Sequence, residues 1–206
     1  MNTEKIIRII SQMSRRMDQE KEFLTDLDNA IADGDHGINM ARGFCAVEQK
    51  IADFGSKDIG TVLKTAGMTL VSAVGGSAGP LYGTAFMKSG MIMNGKNEMN
   101  ISDFIECIKV SVEGIMQRGK AVRGEKTMLD AMIPSLEAME KAFSDGLSDK
   151  EIIEHGVEAA KNGVEFTKTI AATKGRASYI GERGIGHQDP GATSYTFLLD
   201  VVANAL

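Results

Sequence analysis

Apolar residues recur with a helical period along almost the whole chain. Ile6, Ile9, Ile10, Met13, Met17, Leu24 and Leu27 share one face and predict a long first helix. Ile38, Ala41 and Cys45 mark a second, from about Gly37 to Phe54. A third runs from Asp58 through Val62, Leu63, Ala66, Leu70 and Val74. The run from Gly75 to Pro80 breaks the pattern, and Pro80 suits the first turn of the next helix. Ser102 offers a cap for a fifth helix carrying Phe104, Ile105, Ile108, Val112 and Ile115. Met128, Leu129, Met132, Ile133, Leu136 and Met139 form a sixth, ending near Asp145-Gly146. Ser148-x-x-Glu151 reads as a capping box for a seventh, with Ile152, Ile153 and Val157. Asp189-Pro190, a cap followed by proline, opens the last helix through Phe197, Leu198 and Val201. No segment alternates like a strand. About eight helices with short connections predict one all-α domain of antiparallel neighbours over residues 1–206.

The net charge of −5 and the lack of any basic block argue against a nucleic-acid surface. With no Trp and few aromatics, base-stacking platforms are not expected either. Cys45 and Cys107 lack metal-type spacing and read as free thiols of a reducing cytoplasm, buried rather than reactive. The opening residues do not form a signal peptide, and no apolar run is long enough to span a membrane. The many methionines, at helical spacing, read as core filling.

Glycines depart from a plain bundle pattern. They collect at Gly34 with Gly37, at Gly75-Gly76 with Gly79, at Gly119 with Gly124, and from Gly175 to Gly191. In an up-and-down bundle alternate connections lie at one end, so several of these breaks are expected on one rim. Helix N-termini there would offer unpaired N–H groups to an anion, although ending helices is the commonest work of glycine.

One break adjoins the run Asp28-Asn29-Ala30-Ile31-Ala32-Asp33-Gly34-Asp35-His36-Gly37-Ile38-Asn39. Three carboxylates held this close call for a cation, because a like-charge pair at about 4 Å costs roughly 4 kcal/mol at an effective dielectric near 20. An EF-hand starting at Asp33 fails, since Gly37, Ile38 and Phe44 stand where an oxygen ligand, glycine and glutamate are required. A few carboxylates completed by substrate phosphates is the usual Mg²⁺ arrangement. An aspartate-rich helix cap is the plainer reading, but needs only part of the run.

Other patterns are weaker. Ser77-Ala78-Gly79 lacks the length and lysine of a P-loop, and there is no G-x-S-x-G elbow. Lys174, Arg176 and Arg183 flank a glycine-rich turn and could meet phosphate. His155 reads as exposed and His187 as locally hydrogen-bonded. His36, among the acidic residues, is the histidine best placed to bond a phosphate.

Together these segments resemble the L subunits of bacterial dihydroxyacetone kinases, the nucleotide-binding subunits of that family. The resemblance rests on Leu27-Asp28 with Asp33 to Met40, on Val74 to Thr84, and on Arg118-Gly119-Lys120 with Gly124 to Met128. Its longest part is Lys174 to Tyr179 through Gly186 to Ser194, and it covers nearly the whole chain. It implies a closed up-and-down barrel of eight antiparallel helices, a single L-type nucleotide-binding domain. It also implies two Mg²⁺ held by Asp28, Asp33 and Asp35, and a bound ADP or ATP. His36, Gly37, Ile38, Asn39, Ser77, Ala78, Gly119, Met128, Arg176, Asp189, Pro190 and Gly191 would surround that nucleotide. Ala32 stands where the family often has glycine, a small change. The implied chemistry is phosphoryl transfer needing no nucleophile from this chain. A phosphocarrier of the phosphotransferase system, the M subunit, would recharge the nucleotide from phosphoenolpyruvate. The phosphoryl group would then pass to dihydroxyacetone on a separate K subunit. A homodimer is expected. Two alternatives remain at this point: an ATP-exchanging kinase module for a related small ketose or polyol, and a nucleotide-dependent regulator of a transcription activator.

Overall fold

The computed structural model describes all 206 residues. Nine α-helices make up the fold: α1 (Thr3–Gln19), α2 (Lys21–Ile31), α3 (His36–Ile51), α4 (Ile59–Ala73), α5 (Ala78–Ile92), α6 (Ile101–Gly119), α7 (Leu129–Ser144), α8 (Asp149–Thr167) and α9 (Pro190–Asn204). A 3-10 segment, Arg176–Gly184, lies between α8 and α9. The only β-pairing is an isolated bridge between Asn2 and Glu98. No helix is long and apolar enough to cross a membrane.

From α3 to α9 each helix packs against the next, α1 packs against α3, and α9 returns to α1. The ring is therefore closed, with α2 tucked against α3 and α9. Inside it, Ile10, Met17, Phe44, Leu70, Ile115, Leu129, Ile153 and Leu199 belong to one continuous core. Burying apolar surface at about 25 cal/mol per Å² is what holds such a ring together.

The expected caps at Ser148 and Asp189 form, Ser148 with Glu151 makes a full capping box, and Asp58 also caps α4. Three details differ from the sequence reading. The long first helix breaks at Glu20, whose φ of −93° and ψ of 6° leave the helical region. The cap before α6 is Asn100, not Ser102, because Asn100 and Asp103 bond reciprocally to each other's backbone N–H. In α3 the buried face is Met40, Phe44, Val47 and Ile51, while Ile38 and Cys45 are exposed.

The α4–α5 pair has backbone-to-backbone packing. A Cβ at Gly67 would lie 2.7 Å from the Gly83 carbonyl oxygen, and one at Gly83 would lie 2.8 Å from that of Gly67. Gly60 and Gly90 meet reciprocally in the same way, at 2.7 and 2.9 Å.

Candidate functional site

All four glycine breaks reach one end of the ring. The α2–α3, α4–α5, α6–α7 and α8–α9 connections together line a cleft of about 870 Å³, within the range of small-molecule sites.

The acidic wall comes from the α2–α3 turn. Ala32 leaves the helix with φ −147° and ψ −131°, and Gly34 takes the positive φ of +72° that suits glycine. Asp28, still on α2, is buried, and its Oδ2 accepts from the backbone N–H of Asp35 at 2.9 Å and of His36 at 3.3 Å. That fixes the carboxylate before any ligand arrives. Asp28, Asp33 and Asp35 each offer one oxygen, and the three lie within 4.8 Å of one another. Hard, anionic oxygens in this number fit Mg²⁺ with phosphate or water completing the shell. Arg176 from the 3-10 segment ion-pairs with Asp33 and supplies part of the compensating charge.

His36 opens α3, and its Nε2 lies 2.9 Å from the buried Ser194 Oγ, which in turn lies 2.8 Å from the Tyr82 hydroxyl. This chain fixes the ring plane. Burial holds the imidazole pKa below its ordinary value, although the charges of Asp28 and Asp35 pull it up. Burial likewise keeps Tyr82 protonated. Asn39 Oδ1 accepts from Arg42 at 2.7 Å, and Arg42 also donates to the Ala73 carbonyl at 2.9 Å. A Cβ at Gly75 would stand 3.0 Å from the Asn39 amide, so the glycine strap lies directly on that side chain. Ser77 and Ala78 then open α5 without a side-chain cap, leaving first-turn N–H groups for an anion.

The loop between α8 and α9 adjoins the acidic wall. Asp189 caps α9 through a 2.7 Å bond from the Ala192 N–H, and its own N–H donates to Thr167 Oγ1 at 2.9 Å. Burial, with the Asp130 and Asp28 charges, pushes the Asp189 carboxyl up to about 7, against the opposing pull of Lys126. The 121–128 turn contacts the loop and itself lines the cleft through Ala121, Lys126, Thr127 and Met128. Glu125 accepts from the Val122 N–H at 2.8 Å and from Thr173 Oγ1 at 3.1 Å. Lys126 is buried there, with its ammonium on backbone carbonyls.

Of the candidate residues, Asp28, Asp33, Asp35, His36, Asn39, Ser77, Ala78, Gly119, Met128, Arg176, Asp189, Pro190 and Gly191 line the cleft. Gly37 and Ile38 do not. Gly37 is buried against the Lys21 carbonyl and Thr25 of α2, where a Cβ has no room, and Ile38 is half exposed. Lys174 lines the cleft and Arg183 does not. His155 is exposed, and the His187 carbonyl accepts from Lys126. Sequence reasoning passed over Ser194, Tyr82, Lys126 and Asp130. Asp130 had a signal in Thr127-x-x-Asp130, a capping-box pattern whose carboxylate reaches back to the Thr127 N–H at 2.8 Å.

Known proteins resemble this chain over most of its length. The DAK2 domain model matches residues 30–204. The ADP-binding subunit DhaL of the PEP-dependent dihydroxyacetone kinase of Escherichia coli is 42% identical over 90% of this chain and 89% of its own length. The corresponding subunit of the PTS-dependent enzyme of Lactococcus lactis is 37% identical over 95% of this chain and 94% of its own. The crystal structure of the dihydroxyacetone kinase from C. freundii in complex with AMP-PNP and Mg²⁺ superposes with a TM-score of 0.74 at 20% identity. That match covers 97% of this chain and 33% of the other, and it shows a shared fold. With an acidic turn, a glycine strap and a capped α9 around one cleft, and with a family model spanning most of its length, the chain belongs to the DAK2 domain family.

Proposed function

We propose that this chain is the ADP- and ATP-carrying subunit of a dihydroxyacetone kinase, acting as a phosphotransferase with partner subunits. The observation that carries this reading is the convergence of Asp28, Asp33 and Asp35 on the wall of the polar cleft. Similarity to ADP-binding subunits over nine-tenths of the chain supports it.

In this reading Asp28, Asp33 and Asp35 hold two Mg²⁺, which would neutralise phosphate charge and orient the terminal phosphoryl group. Asp28 is a rigid ligand because two backbone N–H groups already fix it. His36, set by Ser194, and Asn39, set by Arg42, face the phosphates. Ser77 and Ala78 present the α5 N-terminus to them, and Arg176 adds charge from the loop. Gly119, Met128 and the Asp189-Pro190-Gly191 turn enclose the rest of the nucleotide. No side chain of the cleft needs to act as a nucleophile. A phosphocarrier recharges the nucleotide, and dihydroxyacetone on a K subunit receives the phosphoryl group.

Mass spectrometry and metal analysis of protein desalted in Mg²⁺ test this first. Retained ADP with about two Mg²⁺ per chain supports the coenzyme reading. Bound ADP is then recharged with phosphocarrier and phosphoenolpyruvate, and transfer to dihydroxyacetone is assayed with and without the K subunit. Protein that binds no nucleotide, or that phosphorylates dihydroxyacetone efficiently by itself, overturns the reading.

A further inference from the structure

We infer that Lys126 is the positioning residue that latches the 168–188 loop against the cleft, and so governs how long a nucleotide stays bound. The inference rests on the nucleotide site proposed above.

Lys126 is only 2% exposed, among the most buried large side chains of the protein. A buried ammonium is costly unless its donors are satisfied. No carboxylate pairs with it directly. Its Nζ lies instead among four backbone carbonyls: Thr167 at 2.6 Å, Ile170 at 3.2 Å, Gly184 at 2.8 Å and His187 at 2.6 Å. Converging carbonyls are how proteins replace the hydration shell of a small monovalent cation.

The chain positions of those carbonyls matter most. Thr167 ends α8, and Ile170 lies just beyond it. Gly184 ends the 3-10 segment, and His187 precedes the Asp189 cap of α9. One ammonium thus binds the loop where it leaves the ring and where it returns. Everything between, including the cleft-lining stretch Thr173–Tyr179, hangs from that point. Beyond it the loop has few ties to the body. These are Thr173 and Lys174 to Glu125, Arg176 to Asp33, and packing of the 3-10 segment on α2, while the Gly186 N–H donates to the Lys168 carbonyl at 2.8 Å across the neck of the loop.

The backbone points the same way. Lys126 has φ +59°, one of only two non-glycine residues with positive φ. A glycine would adopt that conformation more cheaply, so the side chain is what the position requires. Asp130 holds the turn by accepting from the Gly124 and Thr127 N–H groups.

Lys126→Met keeps the length of the side chain and removes the ammonium. Two readouts are compared with wild type: amide exchange across residues 171–183 without nucleotide, and release of a fluorescent ADP analogue with Mg²⁺. Val157→Ala, a buried truncation on α8 outside the cleft, controls for general loss of stability. The latch predicts that loop exchange and release both quicken by about tenfold or more in Lys126→Met, as expected for losing charge-assisted bonds, with release near wild type in Val157→Ala. Unchanged loop exchange in Lys126→Met, or equal release from both variants, overturns it. If Lys126→Met does not fold, Lys126→Arg carries the test, since a planar guanidinium spreads its donors in a fork and does not replace a point charge among four converging carbonyls. If wild type binds no nucleotide, the proposed function fails, while loop exchange still reads the latch.

Discussion

Arg176 reaches across the mouth of the cleft to ion-pair with Asp33. One partner is a cleft-lining arginine of the loop, and the other belongs to the acidic trio. The guanidinium would therefore compete with a metal ion held there as proposed above.

Removing it should shift two affinities in opposite directions. In Arg176→Ala, Mg²⁺ alone should bind slightly tighter, since a solvent-exposed pair is worth about 0–1 kcal/mol. Mg²⁺–ADP should bind more weakly, because the positive charge proposed above to face the phosphates is gone. Calorimetric titration of Mg²⁺ with and without ADP checks both signs. A loss of affinity in both titrations would contradict the competition.

Asp35→Asn removes an anionic oxygen from the trio and leaves the backbone bond to Asp28 in place. Its effect on Mg²⁺–nucleotide retention should exceed the about 10–100-fold that outer-shell changes cost at metal sites. Metal analysis after desalting measures it, with circular dichroism as the check on folding. Full retention would remove Asp35 from the ligand set.

Asp189 makes stability depend on pH. Its carboxyl, raised from an ordinary 3.8 to about 7, holds its proton in the folded state after the unfolded chain has released it. The folded state then binds more protons, so this contribution is full below the unfolded value and is lost as pH rises toward about 7. Asp189→Asn keeps an oxygen to cap α9 and removes the titration. The ligand-free variant should lose that decline and be the more stable form above neutrality. Denaturant midpoints across about pH 4–8 give the answer, and parallel curves for both proteins would exclude the assignment.

Gly67→Ala should destabilise the protein by about 1–3 kcal/mol, as overpacking does. The added methyl meets the Gly83 carbonyl and the Met87 side chain at 2.7 Å. Urea denaturation with an unchanged m-value measures the effect. A neutral result would mean that α4 and α5 can part at no cost.

Most helices were legible because their caps are local. Asp58, Ser148 and Asp189 each bond an N–H three residues on. The break at Glu20 was not, since Met17 and Leu24 lie seven residues apart and hold the same phase through it. In α3 the sequence reading took Ile38, Ala41 and Cys45, whereas packing against α1 and α4 buries Met40, Phe44, Val47 and Ile51. The acidic turn and the glycine strap stood out because their chemistry is written in side chains or in the want of them. Lys126 did not, because its partners are carbonyls 41 to 61 residues away, which every residue type supplies. Ser194 and Tyr82 stayed hidden because their partnership with His36 exists only once α5, α9 and α3 meet.

The interlocked glycines of α4 and α5 make the two sides of the cleft mechanically unequal. Helices touching backbone to backbone at two levels can neither slide nor roll without collision. The strap from Val74 to Ser77 is strung between them and serves as a fixed anvil. The loop between α8 and α9, held by the latch inferred above, is the side that would yield first. A substitution at Gly60 or Gly90, at the far end of that pair, would therefore register as a displaced strap as much as a less stable fold.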